Sequence, residues 1–182
     1  MSKKSFHIYL EFNYLGLKIA AFNKSNDELE YYKEALYDTY IDNTKKLNFD
    51  ELRKFVERNV LELEKTIDTF IKDIYLIIES PQTKSINLSV MKNHEGKKIF
   101  KEDALYLIQD AKQQILKSNQ NIKILHIIAE NYIFDDIEYN LLPLDKNCKK
   151  FSINIKFICI PKELLRSFEK LFSRQQIFIS QF

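Results

Sequence analysis

The stretch Ile71–Val90, IKDIYLIIESPQTKSINLSV, contains two kinds of predicted strand, one on each side of Pro81. Before Pro81 the sequence is an apolar run of strand length, rich in β-branched residues, which predicts a strand buried on both faces. After Pro81, Ile86, Leu88 and Val90 alternate with polar residues, which is typical of a strand with one face in water. Because the pattern of burial changes at about Pro81, we predict a boundary between two structural units there.

The residues before this stretch predict a meander of strands followed by a helix. Strands are predicted over Phe6–Phe12, over Leu17–Phe22 and over residues 28–41. Asn48, with Glu51 three residues later, resembles a capping box at the start of a helix. Apolar residues then recur at spacings of three and four, which indicates a helix with one face in the core. These residues are Phe49, Leu52, Val56, Val60, Leu63 and Ile67.

The residues after Val90 predict that the chain continues through the second unit and then returns to the first. A helix over Lys101–Lys117 precedes two long strands, over residues 122–134 and 149–160. Pro161 suits the first turn of a further helix, and residues 177–182 read as a closing strand. The apolar stripe of that further helix is Leu164, Leu165, Phe168, Leu171 and Phe172. The predicted fold class is α+β.

The second of the two long strands has one apolar face and one polar face. The polar face consists of Lys150, Ser152, Asn154 and Lys156. Phe151 and Phe157 fall on the opposite face, because successive side chains of a strand alternate. Sheets that bind RNA stack bases on exposed aromatic side chains beside basic ones, so this arrangement argues against RNA binding. We interpret the polar face as a surface that docks a protein.

Composition and charge exclude several classes of protein. The chain has 182 residues, with 28 Lys and Arg against 26 Asp and Glu, and a net charge of +2 predicts no nucleic-acid partner. No apolar run has the roughly 18 residues needed to span a bilayer, which predicts no membrane segment. Cys148 and Cys159 lie in different contexts and no signal peptide is recognised, so we expect a reducing cytoplasm and no disulfide.

The motifs of common catalytic and cofactor sites are missing. Gly16 and Gly96 are the two glycines, and neither belongs to a dinucleotide-binding or P-loop pattern. The histidines and cysteines lack zinc-ligand spacing, and no nucleophile elbow is present. Asp135, Asp136 and Glu138 form an acidic cluster of the kind that can bind a cation, which we interpret as a solvated turn. We therefore predict no catalytic residue, no metal site and no cofactor.

Three segments together resemble the bacterial cell-division protein FtsA, an actin-like family. They are the opening stretch, ILHIIAENYIFDD over residues 124–136, and FSINIKFICI followed by a helix and QIFIS over residues 151–180. The resemblance implies a ribonuclease-H-like, actin-type subdomain 1A over residues 1–81 and 161–182. It also implies an inserted strand-helix-strand-strand module, SHS2 or 1C, over residues 82–160. PilM, an actin-like protein of type IV pilus assembly, is the second choice.

The resemblance also locates the family's first phosphate loop, in altered form. The matching residues are Glu11, Asn13, Gly16 and Lys18. The acid and the lysine agree with the family pattern, whereas its early glycine and hydroxyl residues are absent. Phe12, Tyr14 and Leu15 are bulky where a phosphate would need space. The family's second phosphate loop would come from a second half, so we expect no ATP hydrolysis by this chain and a degraded or incomplete nucleotide site.

What the resemblance implies about function is a protein-protein adaptor of the divisome, in the cytoplasm at the inner face of the membrane at the division site. Partners would meet the inserted module at Lys150, Ser152, Asn154 and Lys156 and at the loops Asn93–Lys98 and Glu138–Asn147. Self-association is left open. The alternative is the N-terminal part of an ATP-binding actin-like protein, either FtsA itself or a PilM-like pilus assembly protein. A reading frame that continues into a second half with a glycine-bearing phosphate loop would favour that alternative.

Overall fold

The computed structural model describes residues 5–13, 15–36 and 49–182, without the side chain of Glu51. The chain divides into two compact units. Unit 1 comprises Met1–Pro81 with Leu164–Phe182, and unit 2 comprises Gln82–Glu163. The identification of these units as subdomain 1A and an SHS2 module remains a prediction. Tyr14, residues 37–41 of the predicted third strand and the predicted helix cap Asn48 lie outside the described residues.

The structure confirms the predicted type of each main element. Along the chain these are β1 (Phe6–Phe12), β2 (Gly16–Asn23), β3 (Leu29–Leu36), α1 (Phe49–Ile67), β4 (Asp73–Ile78), β5 (Lys84–Asn93), α2 (Lys101–Ser118), β6 (Ile122–Phe134), β7 (Ile137–Tyr139), β8 (Lys150–Pro161), α3 (Lys162–Ser173) and β9 (Phe178–Gln181). Pro161 is the last residue of β8, whereas the sequence had placed it in the first turn of the helix that follows.

Unit 1 is built on a five-stranded sheet in the order β3-β2-β1-β4-β9. Strands β1 to β3 are antiparallel neighbours, while β4 runs parallel to both β1 and β9. One face of the sheet packs against α1 and α3. There the ring of Phe168 lies 5.0 Å from that of Phe12 and 5.2 Å from that of Phe49. All five predicted apolar residues of α3 are buried, which confirms that stripe.

The other face of this sheet is not covered by the described residues. Tyr9 and Tyr75 stack on it with their rings 4.8 Å apart, and Ile77, beside Glu11 in the ladder, is 49% exposed. The prediction that β4 is buried on both faces is therefore wrong. Its apolar run suits a parallel strand, but the helices of unit 1 cover only the face that contains Ile74 and Leu76.

Unit 2 is built on an antiparallel sheet in the order β5-β8-β6-β7, with α2 on one face. Alternate residues of β8 face α2 and form the core of the unit, together with Ala104, Leu107, Ala111 and Ile115 of the helix. The core residues of β8 are Phe151, Ile153, Ile155, Phe157 and Cys159. The predicted alternation of β8 is confirmed, and its polar residues lie on the face away from the helix.

The short strand β7 was not predicted. It forms a hairpin with β6 through Asp135 and Asp136, whose φ angles are 46° and 70°. Two successive residues with positive φ are what a two-residue hairpin turn requires, and Asp tolerates that conformation better than most residues. The signal in the sequence was an Asp-Asp pair between Phe134 and Ile137, two residues that favour strands.

Candidate functional site

The predicted phosphate-loop residues lie together around the turn that joins β1 to β2. Glu11 is near the end of β1 and stands opposite Lys18 of β2 in the ladder. The Nζ of Lys18 lies 3.5 Å from Glu11 Oε1 and 4.0 Å from Glu34 Oε1 on β3. Lys18 is therefore shared between two carboxylates, and both partners come from this sheet.

Asn13 satisfies the backbone donors of the turn. Its side-chain Oδ1 accepts hydrogen bonds from the N–H groups of Leu15 and Gly16, both at 2.9 Å. Its Nδ2 donates to Glu11 Oε1 at 3.2 Å, and its own backbone N–H donates to the Gly16 carbonyl at 3.1 Å. A turn binds phosphate through such N–H groups, so in this turn an amide oxygen of the chain occupies the position that an anion would take.

Gly16 is a glycine because β3 approaches it closely. A Cβ atom added at Gly16 would lie 2.2 Å from the carbonyl oxygen of Ala35, a backbone atom that no rotamer change can move. Residues 16 and 36 are partners in the ladder between β2 and β3. The structure thus accounts for this glycine by the packing of two strands, without any ligand.

Part of the steric reasoning about this turn is wrong. The sequence suggested that Phe12 fills the space a phosphate would need, but its side chain points into the core and contacts Phe168 and Phe172 of α3. Leu15 is 72% exposed. The described hydrogen bonds of the turn are those of Asn13 to Leu15 and Gly16.

We find no arrangement of residues suited to a metal ion around Glu11 or elsewhere in the described part of the chain. There, no three or more His, Cys, Asp or Glu side chains are grouped in a way that could hold a metal ion. The carboxylate of Glu11 is instead engaged by Asn13 and Lys18.

The second predicted site is the polar face of unit 2, which we define as Lys150, Ser152, Asn154 and Lys156 with their neighbours in the ladder. The structure brings these four residues together along β8, in the middle of the sheet. Asn154 is flanked by Ser89 of β5 and Asn131 of β6. Lys156 Nζ lies 3.7 Å from Glu130 Oε1, a half-exposed ion pair of small energetic weight.

Asn131 belongs to this polar face, and sequence reasoning missed it. Its Nδ2 donates to Glu138 Oε1 of β7, while its Oδ1 is buried and accepts no hydrogen bond within the described residues. A buried acceptor without a partner costs free energy, so this oxygen is a locally unfavourable feature of the sheet. The register of β6 against β8, which places Asn131 beside Asn154, could not be read from the sequence because two register shifts interrupt it.

The two loops predicted to flank this face are joined to each other. Lys98 and Asn147 form an antiparallel bridge, and the N–H of Gly96 donates to the Cys148 carbonyl at 2.9 Å. His94, which is buried, places Nε2 2.8 Å from the Lys98 carbonyl oxygen and 3.8 Å from Asp103 Oδ2. These contacts give the loops a defined backbone.

Asp103 organises the start of α2 beside these loops. Its carboxylate accepts the N–H of Phe100 at 3.1 Å and lies 3.4 Å from Lys92 Nζ. Burial alone would raise the pKa of Asp103, but the Phe100 N–H and the nearby His94 and Lys92 outweigh it and lower that pKa. The carboxylate therefore acts as a helix cap and a partner for lysine.

Asp135 of the acidic cluster binds two backbone N–H groups of β8 and the residue before it. Asp135 Oδ1 accepts hydrogen bonds from the N–H groups of Lys150 at 2.8 Å and Lys149 at 2.9 Å. These two donors, with Lys150 the stronger, lower the pKa of the Asp135 carboxyl. Asp135 thus ties the hairpin turn to the beginning of β8. The interpretation as a turn is confirmed for Asp135 and Asp136, whereas Glu138 lies in β7.

Neither cysteine is part of either site. Cys148 and Cys159 are free and buried. Burial raises the pKa of both thiols, and for Cys148 the carboxylates of Asp135 and Asp103 add to the effect. A buried thiol with a raised pKa is a poor nucleophile.

Comparisons with known proteins identify the fold. No protein-family profile matches the sequence, and no curated protein matches it. Among solved structures, this chain is similar to PilM of the PilM–PilN type IV pilus biogenesis complex, with a TM-score of 0.61 and 8% identity over 96% of this chain and 46% of that one. This likeness concerns the fold alone, and it agrees with the predicted α+β class.

Two further structures match with lower scores and carry no weight here. One is the cytoplasmic domain of EpsL, an inner membrane component of the type II secretion system of Vibrio cholerae, with a TM-score of 0.45 and 8% identity over 96% of this chain and 57% of that one. The other is a Bacteroides thetaiotaomicron protein with an actin-like ATPase fold and unknown function. Its TM-score is 0.37, with 15% identity over 97% of this chain and 52% of that one. The chain spans about half the length of each structure.

The helices were also compared with the requirements of a membrane span. Within residues 5–13, 15–36 and 49–182, no helix combines the length and the apolar content that crossing a bilayer requires.

Proposed function

We propose that this chain is a protein-binding adaptor built on the actin-like fold, and that its β1–β2 turn does not bind phosphate. The observation that carries the proposal is the bonding of Asn13, whose Oδ1 already accepts the N–H groups of Leu15 and Gly16. A phosphate would have to displace this side chain and compete with Glu11, whose negative charge repels it.

The proposed binding surface is the polar face of unit 2. It presents Asn154 at its centre and Lys150 and Lys156 toward its ends. A partner with carboxylates and hydrogen-bond donors would complement these groups. The loops Asn93–Lys98 and Glu138–Asn147 adjoin the face and would contribute to its rim.

Two assemblies are candidates for the partner. The resemblance of three segments to FtsA favours a divisome protein, in the cytoplasm at the inner face of the membrane at the division site. The structural likeness to PilM, which is part of a type IV pilus biogenesis complex, favours a pilus assembly protein. We propose the divisome role first, because its segments were recognised in the sequence, and the pilus role as the alternative.

The test is capture of partners by a variant with the face reversed in charge. Lys150→Glu, Asn154→Asp and Lys156→Glu, combined in one chain, should weaken capture of division proteins at least about tenfold, which corresponds to about 1.4 kcal/mol. Lys101→Glu with Lys112→Glu on α2, on the opposite side of the sheet, is the control and should bind normally.

Undiminished capture by the reversed variant would exclude the polar face as the binding surface. The wild-type chain could instead capture only pilus assembly proteins, and the reversed variant could lose that capture. This result would support the adaptor function but with the pilus role in place of the divisome role.

The second candidate function is that of the N-terminal part of an ATP-binding actin-like protein. It is favoured by one observation, that the chain spans 46% of the PilM chain it matches. Titration calorimetry of the 182-residue chain with Mg-ATP should give no binding heat if the adaptor proposal is right. Binding in the micromolar range that Lys18→Ala removes would favour the ATP-binding candidate.

A further inference from the structure

Strand β5 forms a long and regular edge of the sheet of unit 2. It is the outermost strand, and in the described part of the chain it pairs only with β8. The pairing runs without a register shift from Lys84 opposite Cys159 to Asn93 opposite Lys150, so that the 10 residues of the strand are all in register.

The hydrogen bonds at the end of this ladder show which backbone groups point outward. The N–H of His94 donates to the Lys149 carbonyl at 2.7 Å, and these residues continue the register of the two strands. In an antiparallel pair, residues that bond to the neighbour alternate with residues that do not. The even-numbered residues of β5 therefore bond to β8. The odd-numbered ones, Ser85, Asn87, Ser89 and Met91, direct their N–H and C=O groups away from the sheet.

The edge lacks the features by which proteins prevent strand pairing. Such features are proline, a bulge, or a charged side chain in the middle of the strand. The residues between Lys84 and Lys92, SINLSVM, include no proline and no charged side chain. The regular register excludes a bulge. An extended chain can therefore continue the sheet at β5.

An added strand would also complete the core beside α2. Ile86 and Leu88 pack against the core of unit 2 but remain partly exposed at the edge. Apolar side chains on one face of an added strand would cover their exposed parts, while polar ones would extend the polar face.

The charges on and beside β5 favour an acidic partner over a second copy of this chain. The strand carries Lys84 and Lys92 and no acidic residue. Lys92 lies 3.4 Å from Asp103 Oδ1, while Lys84 makes no ion pair within the described residues. Antiparallel pairing of two copies about Leu88 would place Lys84 of one copy opposite Lys92 of the other, which is unfavourable.

We propose that the edge of β5 binds an extended, acidic segment of a partner protein as an added strand. This proposal rests on the proposed adaptor function of unit 2, but it uses the backbone of the edge rather than the side chains of the polar face. Backbone hydrogen bonds would supply affinity, and the lysines would select acidic segments.

The probe is the synthetic peptide ETVTVTVTE with blocked ends, added to the ¹⁵N-labelled 182-residue chain. On binding, amide exchange of Ser85, Asn87, Ser89 and Met91 should slow at least about tenfold, because these N–H groups become paired. The matching peptide KTVTVTVTK should bind at least about tenfold more weakly.

Proline substitution tests the outward N–H groups of the edge. Ser89→Pro removes one outward N–H group and no hydrogen bond to β8, so the chain should fold normally and bind the peptide at least about tenfold more weakly. Ser89→Thr keeps the N–H group and should bind normally. Asn87→Pro removes another outward donor and serves as a second variant if Ser89→Pro is unstable.

Three results would overturn the proposal. They are the absence of amide protection with ETVTVTVTE, unchanged peptide binding by both proline variants, and a dimer in sedimentation experiments that Ser89→Pro dissociates. The adaptor function fails separately. Normal partner capture after charge reversal of the polar face would exclude that face, whatever the peptide does at the edge.

Discussion

The side-chain Oδ1 of Asn13 accepts a hydrogen bond from the backbone N–H of Gly16 at 2.9 Å. The bond spans the turn between β1 and β2, and a second bond from Leu15 to the same oxygen reinforces it. A turn with the outline of a phosphate loop is thus stabilised by one of its own side chains.

Asn13→Ala should lower the free energy of unfolding by about 1 kcal/mol, since it removes the acceptor for two N–H groups. Urea unfolding followed by circular dichroism measures the change. Asn26→Ala is the control, because Asn26 Oδ1 accepts one exposed bond from Glu28 at 3.2 Å and its loss should cost less. Equal effects of the two substitutions would contradict the special role of Asn13.

Gly16→Ala should lower the free energy of unfolding by about 2–3 kcal/mol, because the new Cβ would lie 2.2 Å from the Ala35 carbonyl oxygen and the strands would have to separate. Gly96→Ala is the matched control. Gly96 has a φ of +77° and open space around it, so alanine there costs only backbone strain, about 1 kcal/mol. The same urea experiment ranks the two, and a smaller effect at Gly16 would disprove the steric explanation.

Asp135→Asn should reduce stability in a pH-dependent way. The N–H groups of Lys150 and Lys149 lower the pKa of Asp135 in the folded state, so its contribution is present above the unfolded pKa of about 3.9 and is lost as the pH falls through the folded pKa. The difference from wild type should be largest near neutral pH and shrink below about pH 4. Urea unfolding at a series of pH values measures it.

Asp135→Glu provides the control for this prediction. It keeps the negative charge but displaces the carboxylate from the two N–H groups, so it should lose much of the same stability. Wild-type stability in this variant would mean that charge alone, rather than the paired hydrogen bonds, is responsible.

Cys148 and Cys159 should react slowly with Ellman's reagent at pH 8 in the folded protein and rapidly in guanidinium chloride. Both thiols are buried, and burial raises their pKa, so little thiolate is present or accessible. Ser118→Cys, at an exposed position at the end of α2, is the control and should react at once. If a second thiol of the folded Ser118→Cys variant also reacted fast, one of the two native cysteines would be accessible.

The sequence predicted the elements well where periodicity is strong and failed where burial depends on neighbours. The stripe of α3 and the alternation of β8 follow from side-chain spacing, and both are confirmed. The apolar run of β4 gave no sign that Ile77 would be exposed, because exposure depends on which face of the sheet the helices cover. Strand β7 was missed because three residues carry too little periodicity to be recognised.

The site residues show the same division. Glu11, Asn13, Gly16 and Lys18 were chosen from the sequence, and they do lie around one turn, but the reason for each residue came from the structure. The hydrogen bonds of Asn13 depend on the backbone geometry of the short turn between β1 and β2. The residue types alone do not specify that geometry. Asn131 was missed because its place beside Asn154 depends on pairing between distant strands.

The sequence by itself determined the order and type of the elements other than β7, and the polar face of β8, because these depend on propensities and spacings within a few residues. Tertiary structure alone decided that the Ala35 carbonyl leaves no room for a side chain at Gly16, and that β5 is the outermost strand of its sheet. Those features depend on which backbones meet in space, and contacts between strands far apart in the chain leave no local pattern in the residues that make them.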